Sequence, residues 1–185
     1  MNKQITVSMA SIPNRQDGLK SAVKSLIGQV DYLNIYLNNY KLVPSFLKNS
    51  KILIFRSQDY RDLGDIGKFY FSENIKGYHF TCDDDIIYPS NYIEFMLLKL
   101  KKHRGFISCH GAIFNSPFYS FYKSKTTFHF RHEIKNDISV NLVGTGVMGY
   151  DADKIKVPLN IFKNKNMADV YIAIFAKIRI SNVLL

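Results

Sequence analysis

The sequence has no tryptophan, only two cysteines, no long apolar run and few acidic residues, and each shortage narrows what the chain can be. Cys82 and Cys109 lie in separate apolar, strand-like stretches and form no CxxC pair, which argues against a disulfide framework or a structural zinc site. No apolar stretch is long enough to cross a bilayer. Met1-Asn2-Lys3-Gln4 runs directly into a strand pattern without the apolar core of a signal peptide, so a cytoplasmic protein is expected, with peripheral attachment to the inner membrane face as a variant of that expectation. Neither a G-x-x-x-x-G-K-[ST] loop nor a G-x-G-x-x-G loop after a strand is present, which argues against P-loop and Rossmann enzymes. Fifteen Asp+Glu against 25 Lys+Arg leave a formal net charge of +10. Such a balance suits phosphate-bearing ligands, anionic membrane surfaces or nucleic acid. The basic residues are scattered, with no run of five, so nucleic acid is not the expected partner.

What is present fits one well-buried domain. The chain has 185 residues, 46% hydrophobic and 22% charged, an ordinary globular balance. Twelve Tyr and 14 Phe supply all the large rings, as aromatic-rich strands or a ring-lined cleft would require. Ile5, Val7 and Met9 alternate with polar residues as a strand. Asn14 is placed to cap a helix carrying Leu19, Val23, Leu26 and Val30. Leu33, Ile35 and Leu37 form a second strand, and 51–55 a third. This strand–helix–strand order predicts an α/β domain with a mixed, mostly parallel central sheet flanked by helices. Residues 57–68 read as a loop and 69–75 as a short helix. Tyr78 to Cys82 reads as a strand, followed by a helix capped by Ser90 and by a strand from Phe106 to Cys109. Residues 126–150 look β-like, and Asp169 stands near the start of a last helix. His79 and His110 read as strand residues with satisfied hydrogen bonds. His129 and His132, three apart in a strand, would point to opposite faces, so a shared zinc is not expected.

The most informative feature is Asp83-Asp84-Asp85, placed just past a buried strand. Three adjacent carboxylates repel one another unless a cation or hydrogen-bond donors neutralise them. Ligands of open α/β sheets bind at the carboxyl ends of strands, where this triplet is expected. Carboxylate oxygens select Mg²⁺ or Mn²⁺, which binds through one or two carboxylates plus substrate phosphates. A solvated acidic turn before Pro89 is the alternative.

The run Tyr78-His79-Phe80-Thr81-Cys82-Asp83-Asp84-Asp85-Ile86-Ile87-Tyr88-Pro89 resembles the DxD segment of GT-A-type glycosyltransferases. Val7 to Arg15 is similar to their first nucleotide-binding strand and loop, which brings in Ser11, Pro13 and Arg15. Asp62 to Phe69 resembles the loop that holds base and diphosphate. Gly144-Thr145-Gly146 and Met167-Ala168-Asp169 match acceptor-side and catalytic-base motifs in order and approximate spacing. The resemblance covers nearly the whole chain and looks closest to bacterial, family 2-like enzymes that build capsule or lipopolysaccharide sugars. Related domains continue past the final helix with a strand and often a metal-binding His, so the resemblance also implies a C-terminally short domain.

The resemblance implies a metal-dependent transfer of sugar from a nucleotide-diphosphate donor, a UDP-sugar, to a glycan or lipid-linked glycan acceptor, with inversion. Asp85 would bind Mn²⁺ or Mg²⁺ directly. Asp83 would reach the ribose or the metal through water, and Asp84 would assist. Arg15 and Lys68 would supply positive charge to the diphosphate or base, if they are not simply surface cations. Asp65 would accept a hydrogen bond from the base, or serve its own turn. Gly144 and Gly146 would allow close approach of donor sugar or acceptor, or mark a bulge. Asp169 would be the general base, with a helix cap as the competing role. The implied division places nucleotide binding in about 1–110 and the acceptor side in about 111–185. Two alternatives remain: a degenerate sugar-nucleotide-binding domain, and a basic nucleic-acid-binding or metal-dependent phosphodiester-cleaving protein.

Overall fold

The computed structural model describes residues 3–179 and the backbone of 183–184. Residues 1–2, 180–182 and 185, on which the expectations about the chain's two ends partly rest, lie outside that description. Along the chain come β1 (Ile5–Ser11), α1 (Gln16–Leu26), β2 (Tyr32–Leu37), β3 (Ile52–Arg56), β4 (Tyr78–Cys82), α2 (Tyr92–Lys102), β5 (Phe106–Ser108), β6 (Gly111–Phe114), β7 (Lys125–Phe128), β8 (Leu142–Val143), β9 (Val147–Asp151), α3 (Ala168–Arg179) and β10 (Val183–Leu184). Seven strands form one sheet in the order β10-β5-β9-β4-β1-β2-β3. Only β9 runs against its neighbours β4 and β5, so the sheet is mixed and mostly parallel. A second, antiparallel sheet, β7-β6-β8, was not expected from the sequence. Its strands are only two to four residues long, too short for an alternation to register.

The first strand turns Ile5, Val7 and Met9 to one side and Thr6, Ser8 and Ala10 to the other, and both sides are covered. Val7 and Met9 lie in a core under α1 and α2 that includes Leu19, Leu26, Phe80 and Met96. The opposite face packs on a second core containing Tyr36, Phe69, Met148, Tyr150 and Ile172. The polar members of the β1 alternation are therefore buried too, with Ser8 only 3% exposed. That is the expected state of a sheet covered on both faces. Ser8 remains tolerable because its hydroxyl lies 2.8 Å from His79 Nε2, while His79 Nδ1 lies 2.7 Å from the Tyr150 hydroxyl. This buried chain joins β1, β4 and β9. Burial lowers the His79 pKa to about 3, so the imidazole is neutral and can donate to one neighbour while accepting from the other.

Several local expectations are corrected. Asn14 does not cap α1: Pro13–Arg15 forms a 3-10 turn, the helix follows it, and Val30 lies beyond the helix though buried. Ser90 does not cap α2, whose N-cap is Asn91 without a side-chain cap bond. Residues 57–63 form a loop as read, but Gly64–Phe69 is a 3-10 turn rather than its continuation, and the short helix read into 69–75 is reduced to a 3-10 turn at Ser72–Asn74. His129 and His132 lie past the end of β7, in a turn closed by the His132 N–H donating to the His129 carbonyl. A strand, β10, follows the last helix.

Candidate functional site at the carboxyl edge of the sheet

Parallel strands bring their carboxyl ends to one edge, and the antiparallel β9 brings its amino end to that same edge. The pairing of Cys82 with Val147 fixes this, placing Gly144-Thr145-Gly146 beside Asp83. Ser11 ends β1, and Asn38 stands just past β2. Five segments distant in sequence thus converge on one cleft. Its larger arm, about 810 Å³, is lined by Arg15, Lys68, Asp83, Gly146 and Asp169 among others. A smaller arm of about 190 Å³ reaches Ser11, Asn38, Gly64 and Asp84. Arg15, Asp65, Lys68, Asp83 and Asn166 line both arms. Pro13 lines neither and shapes the turn that presents Arg15. Asp85 lines neither as well, and its side chain stands 53% exposed beside Arg15.

The three aspartates diverge. Asp83 accepts a hydrogen bond from Lys68 Nζ at 2.5 Å. Lys68 is almost fully buried, and burial alone would lower its pKa. The Asp83 carboxylate, helped by Asp169 and Asp65, outweighs that and holds the ammonium above its ordinary value. Arg15 Nη1 lies 3.2 Å from both Asp84 Oδ1 and Asp85 Oδ2, and its pKa is raised by the hydrogen bond to Asp84. Asp84 is buried, and burial raises its pKa against the opposing effects of Ser11 and Arg15. Its Oδ2 has no hydrogen-bond partner among the described residues.

The backbone around Asp83 is locked from two sides. The Tyr88 hydroxyl accepts from the Asp83 N–H at 2.8 Å and donates to the Gly146 carbonyl at 2.7 Å. A Cβ on Gly146 would run into the Asp83 carboxylate, and one on Gly144 into the His110 ring. One on Gly18 of α1 would lie 2.9 Å from the Asp84 carbonyl oxygen. The helix backbone and the loop before β9 therefore both press on the acidic turn.

Asp169 and Asp65 divide the work at the start of α3. Asp169 lies in the first turn, but its Oδ1 accepts from the Thr145 N–H at 2.8 Å and the Thr145 hydroxyl at 2.6 Å, so it ties the helix to Gly144-Thr145-Gly146. Its Oδ2 carries no hydrogen bond among the described residues. The capping falls to Asp65, whose oxygens accept from the Asn166 N–H at 2.6 Å and the Ala168 N–H at 3.1 Å. A carboxylate at a helix N-terminus is stabilised there by the helix dipole. Asp65 hangs from a turn that needs Gly64 at φ +55°. Asn38 holds that turn, donating to the Gly64 carbonyl at 2.9 Å and accepting from the Leu63 N–H at 3.0 Å.

Sequence reasoning missed Tyr88 and Asn38, which position the site, and the outer wall of the larger arm. That wall includes His110, Phe121, Tyr122, Lys125 and Phe130. The aromatic and basic run Phe118 to Lys125 was its available signal. His110 is not the satisfied strand residue expected: it follows β5 and its buried Nδ1 has no hydrogen-bond partner among the described residues. Burial, with His129 beside it, lowers its pKa.

Asp83, paired with Lys68, and Asp85, beside Arg15, are 41% and 53% exposed, and Asp84 keeps a buried oxygen with no hydrogen-bond partner among the described residues, so each retains oxygen of the kind a small hard cation takes. Among the described residues no three His, Cys, Asp or Glu side chains converge as a ready metal cage. A cation completed by phosphate oxygens needs no such cage. What the fold and cleft define is a mixed α/β domain whose strand-edge cleft gathers Arg15, Lys68, Asp65, Asp83, Asp84 and Asp169. No family model matches the chain, and no curated protein matches it. No helix among the described residues is long and apolar enough to cross a membrane.

Proposed function

We propose that the chain is a GT-A-type glycosyltransferase domain that transfers a sugar from a UDP-sugar to a glycan or lipid-linked glycan acceptor. The observation that carries this reading is the convergence of Asp83, Asp84, Arg15 and Lys68 with Asp169 on one two-armed cleft, with Asp85 beside Arg15 at its rim. Asp85 and Asp83 would hold Mn²⁺ or Mg²⁺, which when bound supplies a Lewis acid for the charge that grows on the leaving diphosphate. Arg15 and Lys68 add fixed positive charge beside it. The smaller arm, between Ser11 and Asn38, takes the nucleoside, and the larger arm takes the donor sugar and the acceptor. Asp169 accepts the proton from the acceptor hydroxyl as that oxygen attacks the anomeric carbon. The bond from that carbon to the diphosphate breaks, and the configuration inverts. The Thr145 hydrogen bonds hold the Asp169 carboxylate in place while leaving Oδ2 for that proton.

The test is thermal stability with UDP, with and without Mn²⁺. At one hundred times the dissociation constant a ligand stabilises by about 2.7 kcal/mol. For a chain of this size that raises the melting temperature by roughly 5–10 °C. Chelator should remove most of the gain, and so should Asp85→Asn in a folded protein. Equal stabilisation with chelator present, or by oligonucleotides in place of UDP, would overturn the assignment.

A further inference from the structure

We infer that the acceptor is an acidic glycan, one whose acceptor-end sugar carries a carboxylate or phosphate, bound by Lys125 and the aromatic wall of the larger arm. This rests on the transferase reading and gives its acceptor a chemical class. Among the cations lining the cleft, Arg15 is paired with Asp84 and Asp85 and Lys68 with Asp83. Lys125 lines the same cleft, half-buried, with no carboxylate partner among the described residues. Its ammonium instead lies 4.2 Å from the centre of the Phe121 ring and 5.6 Å from that of Tyr122. β7, paired with β6, fixes where the Lys125 backbone sits.

The rings around it have the form of a sugar-stacking surface. Tyr122 is 83% exposed and Phe130 37%, yet both line the cleft wall. Phe121 meets Tyr122 edge-on at 5.4 Å, and Phe130 lies 4.2 Å from the His129 ring, so the wall is braced from both ends. The C–H face of a pyranose stacks on such rings much as an apolar body would. A cation that is attracted only by ring faces gains further from an anion delivered beside it. A neutral acceptor would leave that charge unused. Arg15 and Lys68, already paired with the acidic turn, are assigned to the donor's phosphates, which leaves the Lys125 charge for a second anionic group.

The experiment measures binding of three probes to the whole chain by isothermal titration, without donor. They are a trisaccharide ending in glucuronic acid, the same trisaccharide with the carboxylate reduced to the alcohol, and the neutral trisaccharide bearing a 6-phosphate. One or both anionic probes should bind about fivefold tighter than the reduced one, as a half-buried ion pair supports. The anion preferred separates an acidic sugar from a phosphorylated one. Lys125→Met, which keeps the stem over Phe121, should erase the preference, while Lys123→Met on the exposed surface should preserve it. Equal binding of all three probes overturns the inference, as does equal loss in both lysine variants, which would mean general charge attraction. Melting with UDP and Mn²⁺ on the same sample keeps the two readings apart. A normal nucleotide response with no anion preference removes the acceptor class alone. An anion preference with no nucleotide response removes the transferase reading.

Discussion

Gly146→Ala should change sign with the residue at position 83. Gly146 has no positive φ, so its backbone tolerates alanine. On backbone grounds the substitution should stabilise by about 0.4–1 kcal/mol through the unfolded chain. The obstacle is the Asp83 carboxylate, which occupies the space a Cβ needs. To make room, Asp83 must leave Lys68, a buried ammonium 2.5 Å away. Breaking a fully buried pair costs about 3–5 kcal/mol. Asp83 is 41% exposed and water recovers part of that, so about 1–3 kcal/mol is expected. Gly146→Ala in the parent should therefore lower the melting temperature, by about 2–4 °C per kcal/mol. In an Asp83→Ala background the obstacle and the pair are both gone, and the same change should be neutral or stabilising. Urea melts of the four proteins in the cycle measure this coupling. An equal effect of Gly146→Ala in both backgrounds would refute the contact between Gly146 and Asp83, and with it the placing of the loop before β9 against the acidic turn.

Asp169→Asn keeps an oxygen for the two Thr145 donors, so stability should move by less than about 1 kcal/mol and UDP binding should hold. Transfer should fall roughly 10²–10⁴-fold, and near-parental turnover would remove the general-base role. Asp169→Ser is too short to reach Thr145 and should cost an additional 1–3 kcal/mol, roughly, by stranding a buried N–H. Asp137, bonded to Lys99 at 2.6 Å, His103 at 2.7 Å and Lys102 at 3.1 Å, is held well below the usual carboxylate range, first by Lys99 and then by His103. A depressed carboxylate stabilises above its unfolded pKa, so Asp137→Asn should cost about 1–2 kcal/mol at neutral pH. The difference between parent and variant should shrink as pH falls below about 4; a gap that stays constant in acid would show that the pairing contributes nothing.

By itself the sequence determined the elements whose period is long enough to be read. Strands β1, β2 and β4, helix α2 and the mostly parallel sheet follow from apolar spacing, and the acidic triplet's place at the end of β4 follows from where the strand stops. Local chemistry stops there. That Ser8 and His79 are buried depends on a second layer covering the sheet, because a polar alternation looks the same whether its far side meets water or Tyr150. The swap of duties between Asp65 and Asp169 was equally hidden. An aspartate at a helix start reads as a cap, but residues about one hundred positions apart had to meet before Asp65 could take that role and free Asp169 for Thr145. Lys68 shows the limit most plainly: from a polar loop it reads equally as a site cation or as a surface one. Only the folding of its turn onto the end of the sheet buries it, because Asp83 is there to accept its charge.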